Sequence, residues 1–142
     1  MNYQVIIIPI VAAVLAQIAK LIISAVKHQF SWKELFSYGG MPSSHAALVF
    51  SLALMAGLAD GWDSTIFAIA VVFGIIIIRD AAGLRRVVGK QSHAINELVH
   101  KLPAVSSDEF NYLNERIGHT PLELFYGCLI GLGIVLAHVI IF

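Results

Sequence analysis

The feature that most limits what this chain can become is the grouping of its apolar residues. They stand in blocks, about residues 3–26, 44–59, 64–78 and 121–142, with short polar stretches between them. Backbone immersed in hydrocarbon must satisfy its own N–H and C=O groups, which leaves helices or closed barrels. Blocks without strand-like alternation select helices. The first and last can cross a hydrocarbon core of about 30 Å; the middle two, at about 15 residues, fall short of the roughly 20 that a full span needs. With 58% of residues hydrophobic and 13% charged, the composition lies outside the soluble range. The expected fold class is all-α: an integral membrane helical bundle of about four transmembrane helices, one domain over residues 1–142.

The polar stretches carry their own signals. Ser31, Trp32, Lys33 and Glu34 form a capping-box pattern, so residues 30–38 are expected to make a short interfacial helix stopped by Gly39. From residue 79 to 101, Leu84, Val87, Val88, Ile95, Leu98 and Val99 recur at helical spacing and leave Arg85, Arg86, Lys90 and Glu97 for other faces. That predicts an amphipathic helix on the cytoplasmic side, continuing the third block through Gly83 and ended by Pro103. A second capping box at Ser106–Glu109 opens another expected short helix, closed by Gly118. Four crossings put the two charged loops on one side, and all nine Lys and Arg lie in or beside them, against Asp60 and Asp63 opposite. The positive-inside rule makes those loops cytoplasmic and both termini external. The first four residues carry no Lys or Arg, so the first block is read as a retained helix rather than a signal peptide. A net charge of zero argues against a nucleic-acid partner. The one cysteine, Cys128, permits no intramolecular disulfide and no thiolate cluster.

Chemistry-bearing residues gather at the helix entrances. Gly39-Gly40-Met41-Pro42-Ser43-Ser44-His45 allows a tight turn and puts Pro42 at an expected first helical position. Unsatisfied amides and the helix dipole there favour a phosphate, to which Ser43 and Ser44 add hydroxyls and His45 a titratable ring. The plain alternative is a capped helix start with a histidine below it. Gly118-His119-Thr120-Pro121-Leu122-Glu123 opens the last block: Thr120 and Glu123 fit a capping box, which leaves His119 either an interfacial histidine or a nucleophile held by Glu123. Arg85 and Arg86 suit phosphate oxygens or lipid headgroups. Lys20, inside an apolar helix, requires a partner, and a phosphate between helices would supply one. Gly127 and Gly131 have the small-xxx-small spacing of a helix-packing face, with homo-oligomerisation through it as one use.

Gly-Gly-Met-Pro-Ser-Ser-His (39–45), Asp-Ala-Ala-Gly-Leu-Arg-Arg (80–86), Gly-Lys-Gln (89–91) and Gly-His-Thr-Pro-Leu-Glu (118–123) together resemble the divergent type-2 phosphatidic acid phosphatase family, also described as acid phosphatase/vanadium-dependent haloperoxidase-related. The resemblance covers nearly the whole chain and implies a bacterial-type plasma-membrane protein. It suggests His119 as nucleophile, Glu123 as its orienter and His45 as general acid. Ser43, Ser44, Lys20, Lys27, Arg85 and Arg86 then bind phosphate. The chain departs from the parent superfamily: histidine follows Lys27 where arginine-proline is expected, and Leu113 stands six residues before His119 where arginine is expected. A competing frame, His93-x3-Glu97, lies on the amphipathic helix and ranks below His119.

The expected activity is metal-independent hydrolysis of a membrane lipid phosphate or isoprenoid pyrophosphate at a cytoplasm-facing site, with no cofactor. The alternatives are a catalytically silent phospholipid-binding or lipid-translocating protein that retains the anion site, and a structural subunit. Haloperoxidase activity with vanadate is a remote family-level option.

Overall fold

The computed structural model of the chain describes residues 3–26, 39–102, 110–115 and 117–141. Among them are five helices: α1 (Gln4–Val26), α2 (Ser44–Asp60), α3 (Thr65–Ala82), α4 (Leu84–Lys101) and α5 (Pro121–Ile141). α1, α5 and the continuous run Thr65–Lys101 are long and apolar enough to cross a membrane, and α2 is a shorter apolar helix. The all-α bundle expected from the apolar blocks is the fold found. The interfacial helix expected at residues 30–38, Lys27 and the start of the helix expected at Ser106 lie outside the described residues. Residues 110–115, which that second short helix would have included, are not helical.

The helices begin where side chains can replace missing backbone acceptors. Ser43 and Ser64 are N-caps of α2 and α3, accepting from Ala46 N–H at 3.3 Å and Phe67 N–H at 3.1 Å. Pro42 therefore precedes the cap instead of occupying the first helical position, and the Met41–Pro42 peptide is cis. At α5 the capping box is reciprocal: Glu123 N–H donates to Thr120 Oγ1 at 3.3 Å and Thr120 N–H to Glu123 Oε2 at 3.1 Å.

α2 is the central helix, packed on α1, α3 and α5. Its contacts are made by small residues. Ala12 and Ala16 of α1 meet Ala47 of α2 with no exposed surface left on any of the three. In lipid there is no hydrophobic drive between helices, so close backbone approach and dispersion hold them together. Gly127 and Gly131 are buried on this principle. A methyl group on Gly127 would run into the Ser43 carbonyl and stand 2.9 Å from Ala46 Cβ, and one on Gly131 would stand 2.7 Å from the Ala47 carbonyl. The small-residue face thus packs inside the chain, on α2. Within the chain, α2 fills that face. The large aliphatic residues point outward instead: Ile10, Ile69, Ile76, Leu129 and Val139 are about half exposed, as a bilayer-facing surface requires.

α4 contacts only α3 among the described helices. Its buried face consists of Gly89, Ser92 and Asn96, and Leu113, Glu115 and Ile117 of the following strap lie against it. Asn96 receives Leu113 N–H at 3.0 Å and donates to the Leu113 carbonyl at 2.9 Å, as a strand partner would. Gly118 meets Arg86, and Glu115 and Ile117 meet Gly89, so this strap runs antiparallel to the helix. The apolar face of α4 that the spacing identified, with Leu84, Val87 and Leu98, stays exposed on the other side.

One end of the bundle collects the polar groups. Ser43 N–H donates to the Glu123 carbonyl at 3.1 Å, tying the start of α2 to α5. His119 N–H donates to the Ala81 carbonyl at 2.9 Å, tying the strap to the end of α3. Lys20, near the end of α1, lies against Gly40.

Candidate phosphate site

A cavity of about 700 Å³ opens at this end. Its walls include Lys20 from α1, Gly40 from the loop before α2, Arg86 and Lys90 from α4, and His119 and Glu123 at the start of α5. Segments more than 100 residues apart in sequence therefore share one hollow.

His119 is buried, with 4% of its surface exposed. Its backbone is fixed by the bond to Ala81, and its ring Nδ1 lies 3.1 Å from Glu123 Oε2. That oxygen also receives the Thr120 amide. An ionised carboxylate only accepts, so the pairing places the ring proton on Nδ1 and leaves Nε2 with the lone pair. Burial pushes the His119 pKa below the ordinary histidine value, and the Lys20 charge pushes the same way. The Glu123 bond and the backbone of Gly40 act in the opposite sense but do not reverse the shift. At neutral pH the ring is therefore a neutral, oriented base.

His45 stands in the first turn of α2, with its ring centroid 6.5 Å from that of His119 and the planes inclined at 57°. It is not itself a wall residue of the cavity, but it neighbours the buried, oriented imidazole of His119. Lys20 is 7% exposed and its stem passes over Gly40, whose φ of 96° and missing Cβ allow the approach; a Cβ there would stand 3.0 Å from Lys20 Cε. Gly118, at φ 91°, likewise lets the strap touch the Arg85–Arg86 backbone just before His119.

The serines divide. Ser43 is fully buried, with its hydroxyl capping α2 and its amide given to Glu123, so neither the oxygen nor the N–H expected to hold an anion is free of protein partners. Ser44 is half-buried, and among the described residues its hydroxyl has no hydrogen-bond partner. The two arginines divide as well. Arg86 lines the cavity, whereas the Arg85 Nε donates to Asp80 Oδ2 at 2.6 Å, and its charge acts on His45. Among the described residues, no three His, Cys, Asp or Glu side chains converge as a metal-ligand set.

Asn96, Glu115 and Lys90, in or beside the cavity, were not assigned to the site from sequence, and His93 was given a different partner. His93 Nδ1 pairs with Glu115 Oε2 at 2.8 Å, not with Glu97, which is 3.6 Å from Lys101 instead. Asn96 donates to Glu115 Oε1 at 2.7 Å, and these two bonds hold the Glu115 pKa below the ordinary carboxylate value. Lys90 lines the wall one helical turn beyond Arg86. No local signal joins residues 93 and 115; only the strap's course along α4 does.

An all-helical membrane protein with clustered histidines, cations and helix N-termini at one end is the class that fold and site define. The chain matches the Divergent PAP2 family over residues 1–134. It is also 37% identical over 141 residues to the uncharacterized membrane protein YuiD of Bacillus subtilis (strain 168), with 89% of each chain covered. This protein belongs to the Divergent PAP2 family. No solved structure matches it.

Proposed function

We propose that the protein is a metal-independent phosphatase for a membrane lipid phosphate or isoprenoid pyrophosphate, with His119 as nucleophile. The observation that carries this reading is the buried His119 ring, its proton held on Nδ1 by Glu123, in the wall of a cavity that Lys20 and Arg86 also line. In the first step Nε2 attacks phosphorus, the bond to the leaving oxygen breaks, and His45 gives that oxygen its proton. In the second, His45 takes a proton from water, which attacks the phosphohistidine and releases phosphate. Lys20 and Arg86 offset charge on the transferring group, as fixed cations do where no metal serves. The sum is phosphoester plus water to alcohol plus phosphate, or diphosphate plus water to monophosphate plus phosphate.

The positive-inside rule supports a cytoplasmic position for the cavity, external termini and, with the Bacillus relative, a bacterial plasma membrane. A second reading, phospholipid binding or translocation without turnover, draws on one specific feature. Position 113, six residues before His119, is a leucine whose backbone is given to Asn96, and Arg85 is engaged by Asp80.

The test is phosphate release by detergent-purified protein from a panel of lipid phosphates and isoprenoid pyrophosphates, with EDTA present. Release is expected with wild type and is expected to vanish in His119→Ala and His45→Ala while both proteins stay folded. Undiminished turnover in His119→Ala removes the nucleophile assignment. Folded protein that binds these lipids and releases nothing favours the second reading.

A further inference from the structure

The cavity does not end at its polar walls. Ile23 of α1 and Met41 of the loop before α2 line it, and the same two residues line a groove of about 280 Å³ between α1 and α5. Ala19 on α1 and Tyr126, Leu129 and Ile130 on α5 continue the groove. Each helix carries one stripe through both hollows. On α5, Glu123 lines the cavity and Tyr126 and Ile130 line the groove, at i, i+3 and i+7 of one face. On α1 the order is reversed: Ile23 belongs to both hollows, and Ala19, one turn earlier, to the groove alone. α5 begins at the cavity end and α1 finishes there, so both stripes lead the same way, over about 10 Å into the membrane-spanning part of the bundle. Tyr126 and Leu129 are close to half exposed, so the groove opens on the bilayer-facing side.

Another apolar hollow lies between α2 and α3, against Phe50, Phe67 and Gly74, and shares no wall residue with the cavity. Continuity therefore singles out the groove between α1 and α5. Its volume is below the roughly 300–1,000 Å³ of sites that enclose a whole small molecule, which suits part of one flexible chain. Cations at one end, with an apolar slot leading from them, match a molecule that has a phosphate head and a hydrocarbon tail.

We propose that the α1–α5 groove seats the head-proximal stretch of the hydrocarbon chain of a lipid phosphate whose phosphate lies in the cavity, so that the ligand enters sideways from the bilayer. This rests on the phosphatase reading for the place of the phosphate but not for turnover. A chain already in the bilayer gains no hydrophobic energy by moving into the groove. The phosphate therefore anchors the molecule, and the groove sets the direction of its tail.

The probe is a long-chain alkyl phosphonate, which cannot be hydrolysed, with a diazirine a few carbons from its head. It is added to the full chain in phosphatidylcholine vesicles, with the alcohol of the same chain and diazirine as control, and labelled peptides are mapped by mass spectrometry after photolysis. Relative to the alcohol, phosphonate label is expected to concentrate severalfold on Ala19–Ile23 and Tyr126–Ile130, and Lys20→Ala is expected to abolish that enrichment. Equal patterns for the two probes, or enrichment on the α2–α3 surface instead, overturn the groove. Ala19→Phe fills the groove from α1 and Leu129→Trp fills it from α5. Each is expected to lower severalfold the ratio of kcat/KM for a long-chain phosphate to that for a short, water-soluble phosphate monoester. An unchanged ratio in both variants also overturns the groove. Enrichment without any turnover keeps the groove and removes the phosphatase reading; turnover without enrichment does the reverse.

Discussion

At the scale of single residues, Glu123 has two tasks. One of its oxygens accepts both the Thr120 amide and the His119 ring, so the helix cap and the orientation of the imidazole are one structure. Sequence alone left these as rival explanations of the same motif, and the geometry makes them compatible. Glu123→Gln separates them, because a glutamine oxygen still caps Thr120 but no longer supplies a charge to the ring. Folding should survive, and turnover should fall by about 10²–10⁴-fold, the range typical of losing a positioned acid–base partner. An active Glu123→Gln enzyme would make the residue a cap alone. The pH profile gives a second reading of the same pair. Since burial holds the His119 pKa down, its neutral form persists to lower pH, and with His119 as the proposed nucleophile the acid limb of kcat/KM is expected below the ordinary histidine value of about 6.5. Removing the Glu123 charge takes away an influence that raises this pKa, so any residual activity in Glu123→Gln should lose its acid limb at still lower pH. A limb at or above the ordinary value would identify a different titrating group.

At the scale of elements, the helices were legible because membrane burial writes itself locally. Long apolar blocks, capping residues and glycines mark α1, α2, α3 and α5 to within a few residues. α4 was legible as amphipathic, but the partner of its polar face was not. Asn96 binds Leu113, and His93 binds Glu115, across 17 and 22 residues of chain whose pattern suggested a helix. In the strap the Leu113 backbone groups are satisfied by the Asn96 side chain instead of by a helix, a tertiary effect with no local periodicity. The packing glycines were legible as a packing face, though not its target. Gly127→Leu tests that target: with the Ser43 carbonyl in the way, it should destabilise the bundle by about 1–3 kcal/mol through overpacking. The check is the midpoint of thermal unfolding in detergent. Gly133, whose missing Cβ would meet nothing within 4 Å, is the control, and Gly133→Leu should leave that midpoint nearly unmoved. Equal loss in both variants would mean that the α2–α5 contact is not the source.

At the scale of the whole molecule, charge is divided unevenly between the two ends of the bundle. The described cations Lys20, Arg79, Arg85, Arg86, Lys90 and Lys101 lie toward the cavity end, whereas the α2–α3 turn at the other end carries Asp60 and Asp63. At that turn Trp62 packs over Gly57 and edge-on to Phe67, with ring centroids 5.2 Å apart, an amphipathic anchor of the kind found at a membrane surface. On the proposed phosphatase reading, a lipid phosphate would reach these cations from the leaflet at their end, so orientation would set which leaflet supplies it. Placing single cysteines at Asp63 and His100 in a Cys128→Ser background reads it directly. A membrane-impermeant maleimide should label Asp63→Cys in intact cells and His100→Cys only after permeabilisation. The reverse pattern would turn the cavity outward and make the outer leaflet the source of substrate. Labelling of both in intact cells would mean that the two ends share one side, which a complete α3 crossing forbids, and would make α2 and α3 a hairpin that enters the membrane without traversing it.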